Sequence, residues 1–465
     1  MTDSFDVVVV GAGPGGYVAA IRAAQFGLST AIVERQHLGG ICLNWGCIPT
    51  KAMLKGAELK HSLSGMDRFG LAFEKVQFDI NKLVDHSRTV AHQLSTGVEY
   101  LMKKNKITVI DGSARLQSKG KLSVQTEDGP TEVGFSHCIL ATGARPRMIP
   151  GLDHSHERIW TYFEAMTPKE LPGSVLVIGA GAIGCEFASM YSDLGSDVTI
   201  VEMANQVLPV EDQEIARYAA KSFEKRGINI ATGASAEGFE FSESDVSCVI
   251  NRGEGLTERT SFDVVIVAVG VQANIEDVGL ESVGVRVENG AIKVDEFGRT
   301  NVVGIYAIGD VAGPPCLAHK ASQEAVVCVE KFVGVEDTPA MDRSRVPACT
   351  YTRPQVASVG LTQAEAASNG RRVKVGKSDL GSNGKALAIG EPDGFVKTVF
   401  DADTGELLGV HMIGPEVTEQ IQGAVIAQAL ETTERELGAA IFPHPTISEA
   451  MHEAVLAADG QAIHS

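Results

Sequence analysis

One local design occurs twice in this chain, and it restricts the fold more than any other feature. Residues Asp6 to Val10 (DVVVV) form a short, almost wholly apolar run, the pattern of a parallel strand buried on both faces. Then come Gly11, Gly13, Pro14, Gly15 and Gly16, an alanine-rich amphipathic stretch from Tyr17 to Phe26, an apolar run from Ser29 to Val33, and Glu34 at its end. From Ser174 the order repeats: a strand at Val175 to Ile178, the loop Gly179-Ala180-Gly181-Ala182-Ile183-Gly184, a helix through Leu194, a strand at Asp197 to Val201, and Glu202. A lone glycine loop is a weak signal, but two in full strand, loop and helix context predict two Rossmann-like dinucleotide-binding domains. Gly11 and Gly179 permit the tight turn, Gly13 and Gly181 let backbone amides approach a pyrophosphate, and Gly16 and Gly184 let helix and strand pack closely. Glu34 and Glu202 stand where a carboxylate accepts hydrogen bonds from ribose hydroxyls.

Behind the first loop lies Cys42-Leu43-Asn44-Trp45-Gly46-Cys47-Ile48-Pro49-Thr50-Lys51. Two thiols this close can form a small, strained and therefore reducible ring, which is the property of a redox centre. No second closely spaced pair completes a four-sulfur zinc site. Pro49 suits the first turn of a helix, which places Cys47 near a helix N-terminus, an end that favours a thiolate. The other cysteines, Cys138, Cys185, Cys248, Cys316, Cys328 and Cys349, are scattered, as expected of reduced and mostly buried residues.

With these motifs in view, the chain resembles the flavoprotein disulfide reductases, and among them the dihydrolipoyl dehydrogenases, over essentially its whole length. Further motifs carry the likeness: Ala141-Thr142-Gly143-Ala144-Arg145-Pro146, Gly270 after the second unit, Ile308-Gly309-Asp310, Leu317-Ala318-His319-Lys320-Ala321, and Thr352 to Gly360. The resemblance implies FAD in the first dinucleotide site and NAD in the second. It places Asp310 on the flavin ribityl chain, Lys51 beside the flavin, and Glu186 as that lysine's partner. It also implies a homodimer whose C-terminal domain lends His444 and Glu449 to the partner's disulfide, and a lipoylated carrier domain or acyltransferase core as the protein partner.

A dithiol exchange needs a proton acceptor, and an imidazole oriented by a carboxylate supplies one. On sequence alone His444 and His452 compete for that role, since both lie within reach of Glu449; the resemblance favours His444. One departure stands out: Phe442 occupies a position that is often histidine in the family.

The expected domains are 1–145 and 271–345 for the FAD site, 146–270 for NAD, and 346–465 as a C-terminal α/β dimerisation domain. Residues from about His61 to Lys104 are expected to be a long helical region. The last domain is expected to hold strands at Gln355 to Gly360, Gly394 to Phe400 and Leu407 to Ile413, then helices at Val417 to Leu430 and Ser448 to Ala458. A net charge of −19 argues against a nucleic-acid surface. No targeting pattern precedes the first strand and no apolar run is long enough to cross a bilayer, so a cytoplasmic location is expected. His154-Ser155-His156 reads as a solvated loop, and no metal is expected.

Alternative readings are an NADPH-dependent glutathione or mercuric reductase, and a non-catalytic complex subunit or redox sensor. Glu202 would repel a 2′-phosphate, no C-terminal cysteine pair follows Gln461-Ala462-Ile463, and an intact cysteine pair argues against a passive subunit.

Overall fold

In the computed structural model, residues 3–253 and 255–464 are described; the outer domain ends expected at Met1 and Ser465 lie outside them. The chain divides into two units, the first made of Met1–Met53, Asn81–Arg147 and Gly270–Met341, the second of Leu54–Ile80, Met148–Val269 and Asp342–Ser465.

A seven-stranded sheet organises the first unit, in the order Thr108–Asp111, Thr30–Glu34, Asp3–Val10, Gly129–Leu140, Lys121–Thr126, Ser113–Ser118, with Ile305–Ala307 also pairing to Gly129–Leu140. The pairs around Asp3–Val10 are parallel and those around Lys121–Thr126 antiparallel. The DVVVV run explains the two-sided burial. Val7 and Val9 pack with Ala19, Ala20, Ala325 and Val329 on one face, while Val8 and Val10 pack with Leu116, Val124 and Val311 on the other. Such alternation is the period-2 consequence of a strand covered on both sides.

Among the described residues the second unit holds three sheets. A parallel one runs Asn229–Thr232, Asp197–Glu202, Ser174–Ile178, Val264–Val267, Ile159–Trp160; a three-stranded antiparallel one comprises Ser235–Phe241, Val246–Asn251 and Thr257–Phe262. The third, antiparallel, is ordered Ala348–Thr350, Gln355–Gly360, Leu407–Gly414, Phe395–Asp401, Val373–Asp379. Buried Lys397 on this sheet donates to both oxygens of Asp212, at 3.1 and 3.0 Å, and to Glu214 at 2.7 Å. Beside Asp212, Glu211 is buried with its Oε2 unpartnered among the described residues, and burial pushes its carboxyl up to about 7.

Two expectations need correction. The helical region from His61 to Lys104 is broken: the helix Cys47–Ser62 passes into a 3-10 turn at Leu63–Phe69, and a regular helix resumes only at Ile80–Lys104. Gly65 leaves helical geometry and Gly70, at φ 78°, closes the turn in the left-handed region. His154 and His156 are half-buried rather than solvated; His154 Nε2 meets the backbone of Ile149 and the His156 ring stacks on Phe241 at 4.0 Å.

Candidate functional site

The two glycine loops have the same geometry. Gly11 and Gly179 adopt φ of 99° and 102°, and a Cβ on either would overlap the carbonyl oxygen of Ala141 or Ala268. On Gly16 or Gly184 a Cβ would strike the carbonyl of the loop's own first glycine. At Gly13 and Gly181, the N-caps of the helices Pro14–Gln25 and Ala182–Leu194, nothing lies within 4 Å of that position. Among the described residues no side chain caps either helix, and an uncapped helix N-terminus is a cradle for a pyrophosphate. Pro14 begins its helix, Gly15 approaches Ala321, and Ile183 is partly exposed. The loops thus fit the dinucleotides assigned to them.

Each acidic residue is tied to its own loop. Glu34 Oε2 accepts from Ala12 N at 2.7 Å and Glu202 Oε2 accepts from Ala180 N at 2.6 Å, across the same 22-residue separation. Their second oxygens accept backbone amides further on, Arg35 and Gln36 for Glu34, Ala204 for Glu202. Next to Glu34 a cavity of about 240 Å³ is lined by Gln36, His37, Leu38, Ser95 and Asp111 among others.

Asp310 sits in the 3-10 turn Gly309–Ala312, and two buried residues knot that turn in place. Lys320 Nζ donates to the carbonyls of Gly309 at 3.2 Å and Gly313 at 2.6 Å, and pairs with Glu324 at 3.3 Å. Glu324 in turn accepts from Gly309 N at 2.7 Å. Burial raises the Asp310 carboxyl, and Lys320 opposes that shift. Leu317 is the N-cap, and Ala318 and His319 form the first turn, of the helix Ala318–Val333 that carries the knot. Thr142 and Gly143 are locked to Asn274: Thr142 Oγ1 donates to Asn274 O at 2.7 Å, and Asn274 Nδ2 donates to Thr142 O at 2.9 Å. Gly270, at φ 98°, accepts from Arg147 N at 3.0 Å. Lys320 lay inside the Leu317–Ala321 motif without a role assigned to it, and Asn274 and Glu324 had no motif to mark them.

Cys42 lies in the short helix Gly40–Trp45, and Cys47 opens the helix Cys47–Ser62, the N-terminal position anticipated from Pro49. Both are thiols in this structure. Hydrogen bonding to Cys47 and then burial push the Cys42 thiol far above the ordinary range, while the positive charge of Lys51 opposes the rise. The shift favours the protonated form of Cys42. Lys51 lies one turn beyond Cys47 on the same helix. In the second unit Glu186 is buried on the helix Ala182–Leu194 and accepts from Tyr351 N at 3.0 Å.

The two candidate histidines have different surroundings. His444 Nδ1 is 2.9 Å from Glu449 Oε1, and Glu449 Oε2 accepts from Thr446 N at 2.9 Å. The Thr446 amide and then His444 hold the Glu449 carboxyl below its usual range. His444 is open to solvent in the single chain, whereas His452 bonds Gly438 O at 3.0 Å and stacks on Phe442 at 4.9 Å. Phe442 thus packs against His452. Of the remaining cysteines, Cys316 is exposed and Cys349 half-buried; the other four are buried. Among the described residues no cluster of three or more His, Cys, Asp or Glu could hold a metal, and no helix is long and apolar enough to cross a membrane.

Comparison with known proteins agrees with this assembly of parts. Residues 5–325 match the model of pyridine nucleotide-disulphide oxidoreductases, and residues 346–455 match the dimerisation domain of the same family. The chain is 51% identical to a dihydrolipoyl dehydrogenase of Zymomonas mobilis and 45% identical to one of Bacillus subtilis, each alignment covering 100% of both chains. LpdA from Mycobacterium tuberculosis superposes with a TM-score of 0.89 at 26% identity, over 98% of this chain and 99% of that one.

Proposed function

The chain belongs to the pyridine nucleotide-disulphide oxidoreductase family, and from that premise we propose that it oxidises dihydrolipoyl groups to the disulfide form with reduction of NAD⁺. The observation that carries the reading is a dithiol at a helix N-terminus, in a chain with two dinucleotide cradles and a His444–Glu449 pair. In the oxidised enzyme, a substrate thiolate attacks the Cys42 sulfur of the Cys42–Cys47 disulfide, and Cys47 leaves as a thiolate. His444, held by Glu449, takes the proton of the second substrate thiol, which then displaces Cys42 from the mixed disulfide. When bound, FAD supplies the two-electron carrier between this dithiol and NAD⁺. Asp310 and Lys51 would hold its ribityl chain and ring, and the Gly11–Gly16 loop its pyrophosphate. The sum is one dithiol and NAD⁺ converted to one disulfide, NADH and a proton.

Cys42, Cys47, His444 and Glu449 are assigned to the chemistry, with the histidine serving the disulfide of the other protomer in a homodimer. The partner is a lipoylated carrier domain or the acyltransferase core of a 2-oxoacid dehydrogenase or related complex. Glu202, fixed against Ala180 and Ala204, sets NAD over NADP. A carboxylate there adds like-charge repulsion of about 1–3 kcal/mol against a 2′-phosphate, roughly ten- to hundredfold in specificity. The test is NADH formation from dihydrolipoamide by the purified protein. No turnover with NAD⁺, or equal efficiency with NADP⁺, would overturn the reading.

A further inference from the structure

The five-residue step from Cys42 to Cys47 is gripped from outside by the long helix Ile80–Lys104. Arg88 on that helix donates from Nη1 to Asn44 O at 2.7 Å and lays its guanidinium over the Trp45 ring at 4.3 Å. Two turns further along, Ser95 Oγ donates to Leu38 O at 2.8 Å. Asn44 closes the grip from within, its Nδ2 donating to Leu38 O at 3.0 Å and Gly40 O at 2.9 Å. Arg88 Nε and Nη2 are buried without a hydrogen-bond partner among the described residues, and burial lowers the guanidinium's ionisation from its usual range. A half-buried cation with two unmet donors is costly for the fold, so packing alone does not explain it. Both of its contacts fall on Asn44 and Trp45, between the two redox cysteines.

We propose that Arg88 is a positioning residue for the redox pair: it clamps the Asn44-Trp45 segment and keeps the Cys42 and Cys47 sulfurs within bonding reach. This rests on the function proposed above and deepens it. Closing the ring brings the sulfurs to about 2.05 Å within narrow torsional limits. A loop already held in shape loses little freedom on closure, whereas a free one must be ordered first. The clamp therefore favours the disulfide over the dithiol. Arginine suits the task because its flat guanidinium stacks and donates at once, which a lysine cannot do.

The experiment equilibrates the FAD-loaded enzyme, without air, against graded ratios of reduced and oxidised dithiothreitol. In this exchange the Cys42–Cys47 disulfide takes two electrons and two protons from one dithiothreitol, which becomes its cyclic disulfide. Samples are quenched in acid, alkylated, and the thiols at Cys42 and Cys47 counted by mass spectrometry. Arg88→Met should shift the equilibrium about tenfold toward the dithiol, about 30 mV. Arg88→Lys should fall between wild type and Arg88→Met, and Trp45→Leu should move the same way. The double variant should move little beyond the larger single effect, because both changes break one clamp. Arg88→Met and Trp45→Leu equilibria within twofold of wild type would overturn the proposal, even if both variants melted at lower temperature. Should Arg88→Met fail to fold, Trp45→Leu decides by the same criterion. A wild-type protein in which Cys42 and Cys47 never exchange as a pair would instead sink the redox reading itself.

Discussion

Lys320→Met is the perturbation whose cost the structure defines most closely. The side chain is 0% exposed and its partner Glu324 10% exposed, so removing the ammonium leaves a carboxylate buried without its counter-charge. Breaking a buried pair from one side costs about 3–5 kcal/mol, mostly through that uncompensated charge. At about 2–4 °C per kcal/mol for a unit of this size, the loss is about 10 °C. The bonds to the carbonyls of Gly309 and Gly313 also disappear. Since that turn presents Asp310, the loss should show as early release of FAD, followed by flavin fluorescence during a thermal ramp. The control is Lys320→Met combined with Glu324→Gln. It removes the stranded charge while the bonds from Lys320 to Gly309 and Gly313 stay lost, about 1–3 kcal/mol together, so the double variant should recover at least half of the drop. A single variant that releases FAD within about 2 °C of wild type, or a double variant as damaged as the single, would refute the buried-charge reasoning.

Further outcomes follow from other sites. Burial raises Glu211 to about 7, so the folded chain holds a proton there that the unfolded chain gives up near 4.5; the associated stability is complete below about 4.5 and lost as pH rises through about 7. Glu211→Gln should therefore be more stable than wild type at pH 8 by about 1–3 kcal/mol, with the gap closing toward pH 5 in denaturant titrations; a gap that widens in acid would reverse the assignment. Cys42→Ser holoenzyme should keep the long-wavelength absorption of a thiolate beside the flavin and Cys47→Ser should lose it, because the protonated form is favoured at Cys42; the opposite pattern would exchange the two sulfurs. Mixed dimers of Cys47→Ser and His444→Gln chains, each inactive alone, should recover about a quarter of wild-type turnover, since half the dimers are mixed and each has one intact site. No recovery after subunit exchange would mean that His444 serves its own chain.

The parts of the fold legible in sequence were those with a local cause. Both glycine loops, the strands beginning near Asp6 and Ser174, and the helix start at Cys47 follow from φ, burial and proline geometry within a few residues. What escaped depended on distant packing. Lys320 and Glu324 are spaced i to i+4 like any surface ion pair, and nothing nearby in sequence shows that the helix Ala318–Val333 buries both. Arg88 and Trp45 lie too far apart in sequence for any pattern to join them. The strands Ser235–Phe241 and Thr257–Phe262 are polar and mostly exposed, so they carry no clear hydrophobic alternation. His444 and His452 are separated in sequence only by likeness, and the stacking of Phe442 on His452 depends on packing that no local pattern carries.

The two loops tie Ala12 to Glu34 and Ala180 to Glu202 at the same separation and with nearly the same bond length. If the loops hold the coenzymes proposed for them, this shared tether serves the half that FAD and NAD have in common, the adenosine and its diphosphate. That tether by itself cannot tell one coenzyme from the other. Fidelity of loading must arise outside the repeated unit, and in the first site the knot beneath Asp310 is built from residues that the duplicate does not contain. On that reading coenzyme identity rests with the unrepeated segments, and exchanging Glu34 and Glu202 with their loop alanines between the two sites should leave it where it was.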